Sequence, residues 1–473
     1  MNLRDYLRSC ERIGQFEHVK GANVAEEVGA LSEFNARRPF PKTMLFDSIP
    51  GYSPDWGIVT GTLATPQTLG MVLGISATEP EDLISQLRGG RFREWINSSS
   101  QFQTETVPIS STDLLVSPIT SQLNVNSFPT PMWHPDDGGR YIGTGCVVLT
   151  RDVDTGWVNG GAYRIMVLGN DRLALWMATS RHGRSHLESW ARRGKPCPIV
   201  VIPGGDPLLV LLAGASIPDG VSELNVAGAI HGEPLRAIKG KATGLPIPVD
   251  SEFAFEGFIM PGDTGVEGPF GEFTGYYADG VNEVPAITVA NVYTRESPLI
   301  LGAAMGKPPH DFQFPFEVLL SSLVQDAIEA AGVPGVRGVW VFYGRQMIVV
   351  SLRQEHPGHA RQAAHIAANC GAGAYMARYI VAVDEDIDPT DLREVMWAVM
   401  TRSDPATDMD IVRRGWGSPL DPVGTYIADG YKYNSRVIID ACIPYDKRES
   451  FPKVAATDKT QLSRIANRYG LKG

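Results

Sequence analysis

The chain has 473 residues, 43% hydrophobic and 20% charged, with a formal net charge of −11. That is ample material for a large core and two or three domains, and the acidic balance argues against a nucleic-acid surface, which needs a basic stripe. No apolar run reaches the ~18–20 residues that span a bilayer, the N-terminus lacks a signal-peptide core, and Cys10, Cys146, Cys197, Cys370 and Cys442 form no Cys-x-x-Cys, so reduced thiols in a cytoplasmic protein are expected.

Leu3, Tyr6, Leu7 and Ile13 recur at helical spacing, and Ala25 to Asn35 offers a second short helix before an Arg-Arg-Pro break. Thr43-Met-Leu-Phe reads as a strand, and Thr65 before Pro66 is a helix start with proline in the first turn. This α/β region carries no evident chemistry. Asn97 to Pro131 turns to Ser, Thr, Gln, Asn and Pro, which predicts an extended surface connection.

The next block is mainly β. Cys146-Val-Val-Leu-Thr, Tyr163-Arg-Ile-Met-Val-Leu, Arg172-Leu-Ala-Leu-Trp-Met, Ile199-Val-Val-Ile, Phe253-Ala-Phe-Glu-Gly-Phe-Ile and Ala286-Ile-Thr-Val are short strand-like runs. Helices are expected over Gly183 to Arg193 and, capped by Ser222, through Leu224 to Ile230. Many short strands with few helices predict a barrel-like sheet. From Phe316 onward helices and strands alternate: helices at Phe316–Ala331, His359–Cys370 and Asp391–Met400, strands at Gly338–Phe342, Met347–Val350 and Tyr379–Val383. That spacing predicts an α/β sandwich with its own core. Thr457 to Tyr469 reads as a lone tail helix.

The densest chemical signal is Glu267-Gly-Pro-Phe-Gly-Glu-Phe-Thr-Gly-Tyr-Tyr277. Glu267 and Glu272 lie five residues apart, which is not helical pairing, and Gly268, Pro269 and Gly271 argue for a tight turn. Only a specific turn could aim both carboxylates into one site; otherwise they are solvated loop residues. Asn159, Arg164, His182 and Glu223 precede it, each weak alone. Asn159 reads equally as a turn residue, His182 as a satisfied polar residue, and Glu223 as a helix first-turn acid. His182 and His186 are four apart but form no His-Glu-x-x-His. Gly-x-Ser-x-Gly and the phosphate loop Gly-x-x-x-x-Gly-Lys-Ser/Thr are both absent. The acidic cluster Asp384-Glu-Asp-Ile-Asp reads as a solvated strand end.

The pieces Asn159-Gly-Gly-Ala-Tyr-Arg164, Arg181-His182, Pro218-Asp-Gly-Val-Ser-Glu223 and Glu267-Gly-Pro-Phe-Gly-Glu272, in this order and spacing, resemble the UbiD family of prenylated-FMN-dependent decarboxylases. Val383-Asp-Glu-Asp-Ile-Asp and Arg436-Val-Ile-Ile-Asp extend the resemblance over most of the chain. It implies an α+β fold with a central split β-barrel flavin-binding domain. The expected division is an N-terminal α/β region at 1–115, the flavin domain at 116–312, a C-terminal α/β oligomerisation domain at 313–450 and a helical tail at 451–473.

The resemblance assigns Asn159, His182 and Glu223 to a divalent cation (manganese or magnesium) that clamps the cofactor phosphate. A potassium ion is expected near Ala213–Ala215 and Glu223. Gly160, Gly161, Ala162, Tyr163 and Arg164 would lie along the flavin with Arg181, and Arg378 would meet the phosphate. The implied activity is reversible non-oxidative decarboxylation of an aromatic, heteroaromatic or α,β-unsaturated carboxylic acid through a covalent adduct with the prenylated flavin. Losing carbon dioxide from an sp² carbon needs an electron sink no side chain offers, so a cofactor must supply it. Glu272 is then the proton donor, Glu267 its electrostatic partner and Arg164 the cation deciding which of the two ionises.

The implied partners are the acid substrate, a flavin prenyltransferase as cofactor supplier and further copies of the chain in a homodimer or larger homo-oligomer; no nucleic acid or membrane is expected. One departure stands out: Leu420-Asp-Pro follows Ser418 and Pro419, where the dihydroxybenzoate branch tends to carry histidine. That tilts the expectation from a catechol toward a larger or less polar acid. The alternative is a flavin- or metal-binding maturation protein without decarboxylase activity, which replacement of Glu272 or Arg164 would have signalled. A two-carboxylate glycoside hydrolase would be colourless.

Overall fold

The computed structural model describes residues 1–120, 123–427 and 431–471. The fold is α+β, built around a ten-stranded sheet that curls into a half-barrel. Its main path runs Tyr141–Gly143, Arg164–Val167, Arg172–Trp176, Asn282–Thr294, Phe253–Ile259, Cys197–Gly204, Val147–Arg151 and Val158–Gly161. Every neighbouring pair on that path is antiparallel. The 13-residue strand Asn282–Thr294 is the spine, since Leu115–Pro118 and Thr264–Glu267 also pair with it. The expected extended connection therefore contributes a strand to the sheet; its polar composition hid the short Leu-Val pair that docks there.

The helix Pro207–Gly214 packs on one face of the sheet against Val147–Arg151 and Val158–Gly161, and its Leu208, Leu209, Val210, Leu211 and Leu212 are all buried. Its sequence is apolar all round, so periodicity gave no helical signal, and a fully enclosed helix is what such a run becomes. The helices Leu3–Arg12, Pro66–Leu73, Pro80–Leu87 and Arg91–Ser98 share one continuous core with it. At the N-terminus, Phe16–Lys20 pairs parallel with Thr43–Asp47, which pairs antiparallel with Gly57–Thr60. Leu299–Leu301 completes that sheet.

The C-terminal part has a six-stranded sheet including Val336–Phe342, Met347–Leu352, Tyr379–Asp384, Lys432–Ala441 and Met409–Trp416. The helix His359–Asn369 turns Ala360, Ala363, Ala364 and Ala367 to this sheet, all buried, and the small stripe lets it sit close. The acidic cluster that closes Tyr379–Asp384 is solvated at Glu385 and Asp386, both exposed, but it is also tied down. Asp384 and Asp386 both pair with Arg402, itself buried, and Asp384 also accepts from Gln354 and the Ile443 amide. Ser222 occupies the N-cap of Glu223–His231 but its side chain caps nothing. All five cysteines are free thiols, and among the described residues no helix is long and apolar enough to cross a membrane.

Candidate active site

The acidic turn is held in a specific shape. The strand Thr264–Glu267 ends at Glu267, and Gly268 follows with φ +90° in front of a cis Gly268–Pro269 bond. A Cβ at Gly268 would lie 2.2 Å from the Gly280 carbonyl oxygen, so only glycine fits. The segment 134–141 grips the turn from outside: Gly138 N–H donates to the Pro269 carbonyl at 2.7 Å and Asp137 accepts from the Gly271 N–H at 3.0 Å. Tyr141 donates to Glu267 at 2.7 Å and packs its ring on Phe270.

This shape delivers both glutamates to Arg164, the first residue of its strand. Arg164 holds Glu267 in a two-pronged contact, Nε to Oε1 at 2.7 Å and Nη2 to Oε2 at 2.8 Å, while Nη1 donates to Glu272. A third carboxylate, Asp279, lies 3.5 Å from Nη2. The guanidinium is stacked 4.4 Å over the Trp176 ring, its cross-strand neighbour, and Phe270 lies beyond. Glu267 is fully buried, with Arg164 and Glu272 nearly so.

Burial pushes the Glu272 carboxyl above its ordinary range; Arg164 opposes that rise, and the Asp279 and Glu267 charges add to it. Burial disfavours the Arg164 cation, yet the flanking carboxylates outweigh it and hold the guanidinium firmly charged. A carboxyl whose burial favours its protonated form, beside a fixed cation, is an acid able to deliver a proton.

A second group assembles around Asn159. Asn159 is buried on Val158–Gly161, His182 opens the helix His182–Arg192, and Glu223 opens Glu223–His231. Asn159 Oδ1 lies 3.2 Å from His182 Nδ1, Glu223 accepts from the Gly160 N–H at 2.6 Å, and His182 Nε2 meets the exposed Asp219 at 2.6 Å. Among the described residues the Asn159 amide nitrogen has no hydrogen-bond partner and Glu223 no cationic one, and burial pushes the Glu223 carboxyl up to about 7. Among the described residues no three of His, Cys, Asp and Glu converge, so a metal here needs the Asn159 amide oxygen as a donor. One imidazole, one amide oxygen and an uncompensated carboxylate suit a divalent cation that keeps further positions for phosphate and water.

Two cavities, of about 200 and 210 Å³, connect these groups. The first is lined by Asn159, His182, Glu223 and Gly161, the second by Arg164, Glu272, Ala162, Phe270 and Phe316. Tyr163, Arg181, Arg345 and Tyr375 line both, so they form one cleft. Ala213 and Ala215 line the first cavity, although the Ala213 carbonyl already accepts from Ala162 N–H at 3.0 Å. Gly160 lines neither cavity and acts through its bond to Glu223.

Arg378 is not in the cleft lining: its guanidinium pairs with buried Asp421 at 2.5 Å. The residue that sequence reasoning missed is Arg345. It sits with φ +100° in the turn between Val336–Phe342 and Met347–Leu352, faces the Tyr375 ring, and like Arg181 has no carboxylate partner among the described residues. Burial, then the Arg181 charge, push its guanidinium down to about 10, a sign of a cation pair awaiting an anion. A Gly-Arg pair in a hairpin turn gives no local hint of this, because the relevant neighbours lie some 160 residues earlier.

Two further polar residues, Gln313 and His310, line the second cavity. Gln313 donates its amide N–H to Glu317 at 2.7 Å, where the same oxygen accepts the Tyr343 amide, and among the described residues the buried Gln313 oxygen has no partner. His310 lies against the Asp311 carbonyl through Nδ1 at 2.7 Å and close to the Phe273 backbone, and burial favours its neutral ring.

Comparison with known proteins gives the same reading. Residues 110–308 match the 3-octaprenyl-4-hydroxybenzoate carboxy-lyase Rift-related domain and residues 313–441 the C-terminal domain of that carboxy-lyase. The chain is 28% identical over 459 residues to a phenolic acid decarboxylase of Bacillus subtilis, covering 94% of this chain and 92% of that one. It is also 28% identical over 431 residues to a pyrrole-2-carboxylic acid decarboxylase of Pseudomonas aeruginosa, covering 86% and 84%. The UbiD-class enzyme HmfF of Pelotomaculum thermopropionicum, solved in complex with FMN, superposes with a TM-score of 0.82 at 26% identity, over 98% of this chain and 100% of the other. The chain belongs to the UbiD family of carboxy-lyases.

Proposed function

We propose that the protein catalyses the reversible, non-oxidative decarboxylation of an aromatic, heteroaromatic or α,β-unsaturated carboxylic acid with prenylated FMN as cofactor. The observation that carries this is the single cleft with a cation- and anion-binding end at Asn159, His182, Glu223, Arg181 and Arg345 and a proton-delivering end at Arg164, Glu267 and Glu272. Prenylated FMN, when bound, supplies the electron sink that departure of carbon dioxide requires.

The chain's own residues do the rest. Asn159, His182 and Glu223 would hold manganese or magnesium for the cofactor phosphate, Ala213–Ala215 would serve potassium, and Arg181 and Arg345 would take up the remaining phosphate charge. Gly161, Ala162 and Tyr163 would line the flavin's side of the cleft, with Gly160 acting through its bond to Glu223. Arg164 receives the substrate carboxylate, Phe270, Phe316 and Trp176 exclude water, and Glu272 delivers the proton to the carbon that has lost its carboxyl group. Glu267 remains ionised and fixes Arg164.

The unpartnered Gln313 Oε1, on a residue of the cavity wall, favours a substrate ring carrying a hydrogen-bond donor, a hydroxyl or a ring N–H. A buried acceptor left unmet costs on the order of 1–3 kcal/mol. Beside the tilt toward a less polar acid from the Leu420 region stands Gln313, on the wall formed by the helix Gln313–Ala330. We also propose the four-part domain division given above and a homo-oligomer, for which exposed Trp397, Met400 and Ile411 supply apolar surface. The test is co-expression with a flavin prenyltransferase, then the absorbance and mass of the released cofactor and a screen of aromatic acids for carbon dioxide release.

A further inference from the structure

One guanidinium, Arg164, faces three carboxylates: Glu267, Glu272 and Asp279. If all three ionised, the group would carry a net charge of −2 in an enclosure walled by Trp176 and Phe270, a cost that protonating one of them relieves. Glu267 is held by both its oxygens and receives a further hydrogen bond from Tyr141, so it is the anion. Asp279 is fixed by Asn282, whose amide donates to Oδ2 at 2.9 Å and to the backbone carbonyl at 3.1 Å. It is also the most solvated of the three, with its side chain 18% exposed against 8% for Glu272 and none for Glu267. Water can support a charge there better than at Glu272.

We propose that Asp279 is a positioning residue of the proton-delivering site: it steadies Arg164 at Nη2 while Glu272 meets Nη1, and its negative charge keeps the proton on Glu272. The inference rests on the reading of Glu272 as the acid. The charges around Glu272 are Arg164 from the strand Arg164–Val167, Glu267 from Thr264–Glu267 and Asp279 from the loop before Asn282–Thr294. Arg181, Arg345 and His310 line the same cavity from other elements, and Tyr141 reaches the group only through Glu267. Burial, and then the Glu267 charge, push the Asp279 carboxyl above its ordinary range too, while Arg164, a hydrogen bond from Trp176 and Lys432 oppose the rise; Lys432 comes from the C-terminal sheet and donates to the Asp421 carbonyl. Removing the Asp279 charge leaves Arg164 free to favour ionised Glu272, so the sign is fixed: the proton leaves Glu272 at lower pH.

The test is an infrared titration of the FMN-loaded protein, following the carboxylic-acid band that disappears in Glu272→Gln. This readout needs no turnover. In Asp279→Asn, which keeps the Asn282 contact and the side-chain size, the midpoint of that band should move to lower pH, and in the prenylated-FMN enzyme the alkaline limb of kcat should move with it. Asp279→Glu should restore both. An unmoved midpoint in folded Asp279→Asn, or a uniform loss of rate at every pH with no shift, overturns the proposal. A shifted midpoint in a protein that decarboxylates no acid would sustain the role of Asp279 and sink the decarboxylase reading, so the two failures are distinguishable.

Discussion

Replacing Glu272 by Gln isolates the proton from the rest of the site. The amide oxygen can still accept from Arg164 Nη1, and Arg164 keeps its two bonds to Glu267 and its contact with Asp279, so the buried cation stays compensated. Stability should change little, unlike in Arg164→Ala, which strands fully buried Glu267 and should cost on the order of 3–5 kcal/mol. What is lost is the transferable proton. Glu272 is nearly enclosed, so water cannot take over the role, and turnover should fall by a factor of ~100 or more. The assay is exchange of the product's ring or vinyl proton in deuterated water, followed by NMR, a partial reaction that needs the acid but no carbon dioxide. Glu272→Gln should lose this exchange almost entirely, whereas Glu267→Gln, which disturbs Arg164 but leaves a carboxyl at Glu272, should keep a slow residue of it. Exchange at the wild-type rate in Glu272→Gln would refute the assignment and move suspicion to Glu267.

Three further outcomes follow from the same geometry. His182→Ala and Glu223→Ala should each lose bound flavin together with manganese, measured by absorbance and metal analysis of the purified protein; full flavin occupancy in both would put the phosphate clamp elsewhere. Wild-type protein should prefer a phenolic or ring-N–H acid over its O- or N-methylated analogue by ~10-fold or more in kcat/KM, and Gln313→Leu should erase much of that preference; equal rates on both in wild type would remove the polar wall from the account. Burial pushes Asp311 and Glu317 each up to about 7 from ordinary carboxyl values, so the native state binds more protons than the unfolded chain. Their contribution is full below the unfolded values and is lost as pH rises to about 7, so the thermal midpoint should fall between about pH 4 and pH 7, less steeply in Asp311→Asn. A midpoint that rises over that window would contradict the sign.

Much of the fold was legible because amphipathic periods survive where one face is wet. Leu3–Arg12, Pro66–Leu73 and His359–Asn369 carry their stripes and caps in plain order. Pro207–Gly214 and the spine Asn282–Thr294 did not read cleanly. The helix is apolar on all sides, and the strand mixes buried and exposed positions along 13 residues as it passes from one partner to the next. At the site, glycines and proline around Glu267 marked a rigid turn, but the partner that makes the turn meaningful, Arg164, lies 103 residues earlier. Arg345 and Asp279 were invisible for the same reason: each is an ordinary turn residue until tertiary folding sets it beside a cation. Arg378 shows the converse. The family resemblance set it at the phosphate, and the fold pairs it with Asp421.

The central claim is that this cleft loads a prenylated flavin and uses it to release carbon dioxide from an unsaturated acid. The direct measurement is carbon dioxide release across a panel of aromatic acids by protein purified with and without a co-expressed flavin prenyltransferase. The account predicts release, with at least one ring-donor acid, by the co-expressed protein alone, while protein made without the prenyltransferase is folded and inactive. Equal activity in both preparations would contradict the cofactor assignment, and no release from any acid by fully loaded protein would contradict the decarboxylase itself.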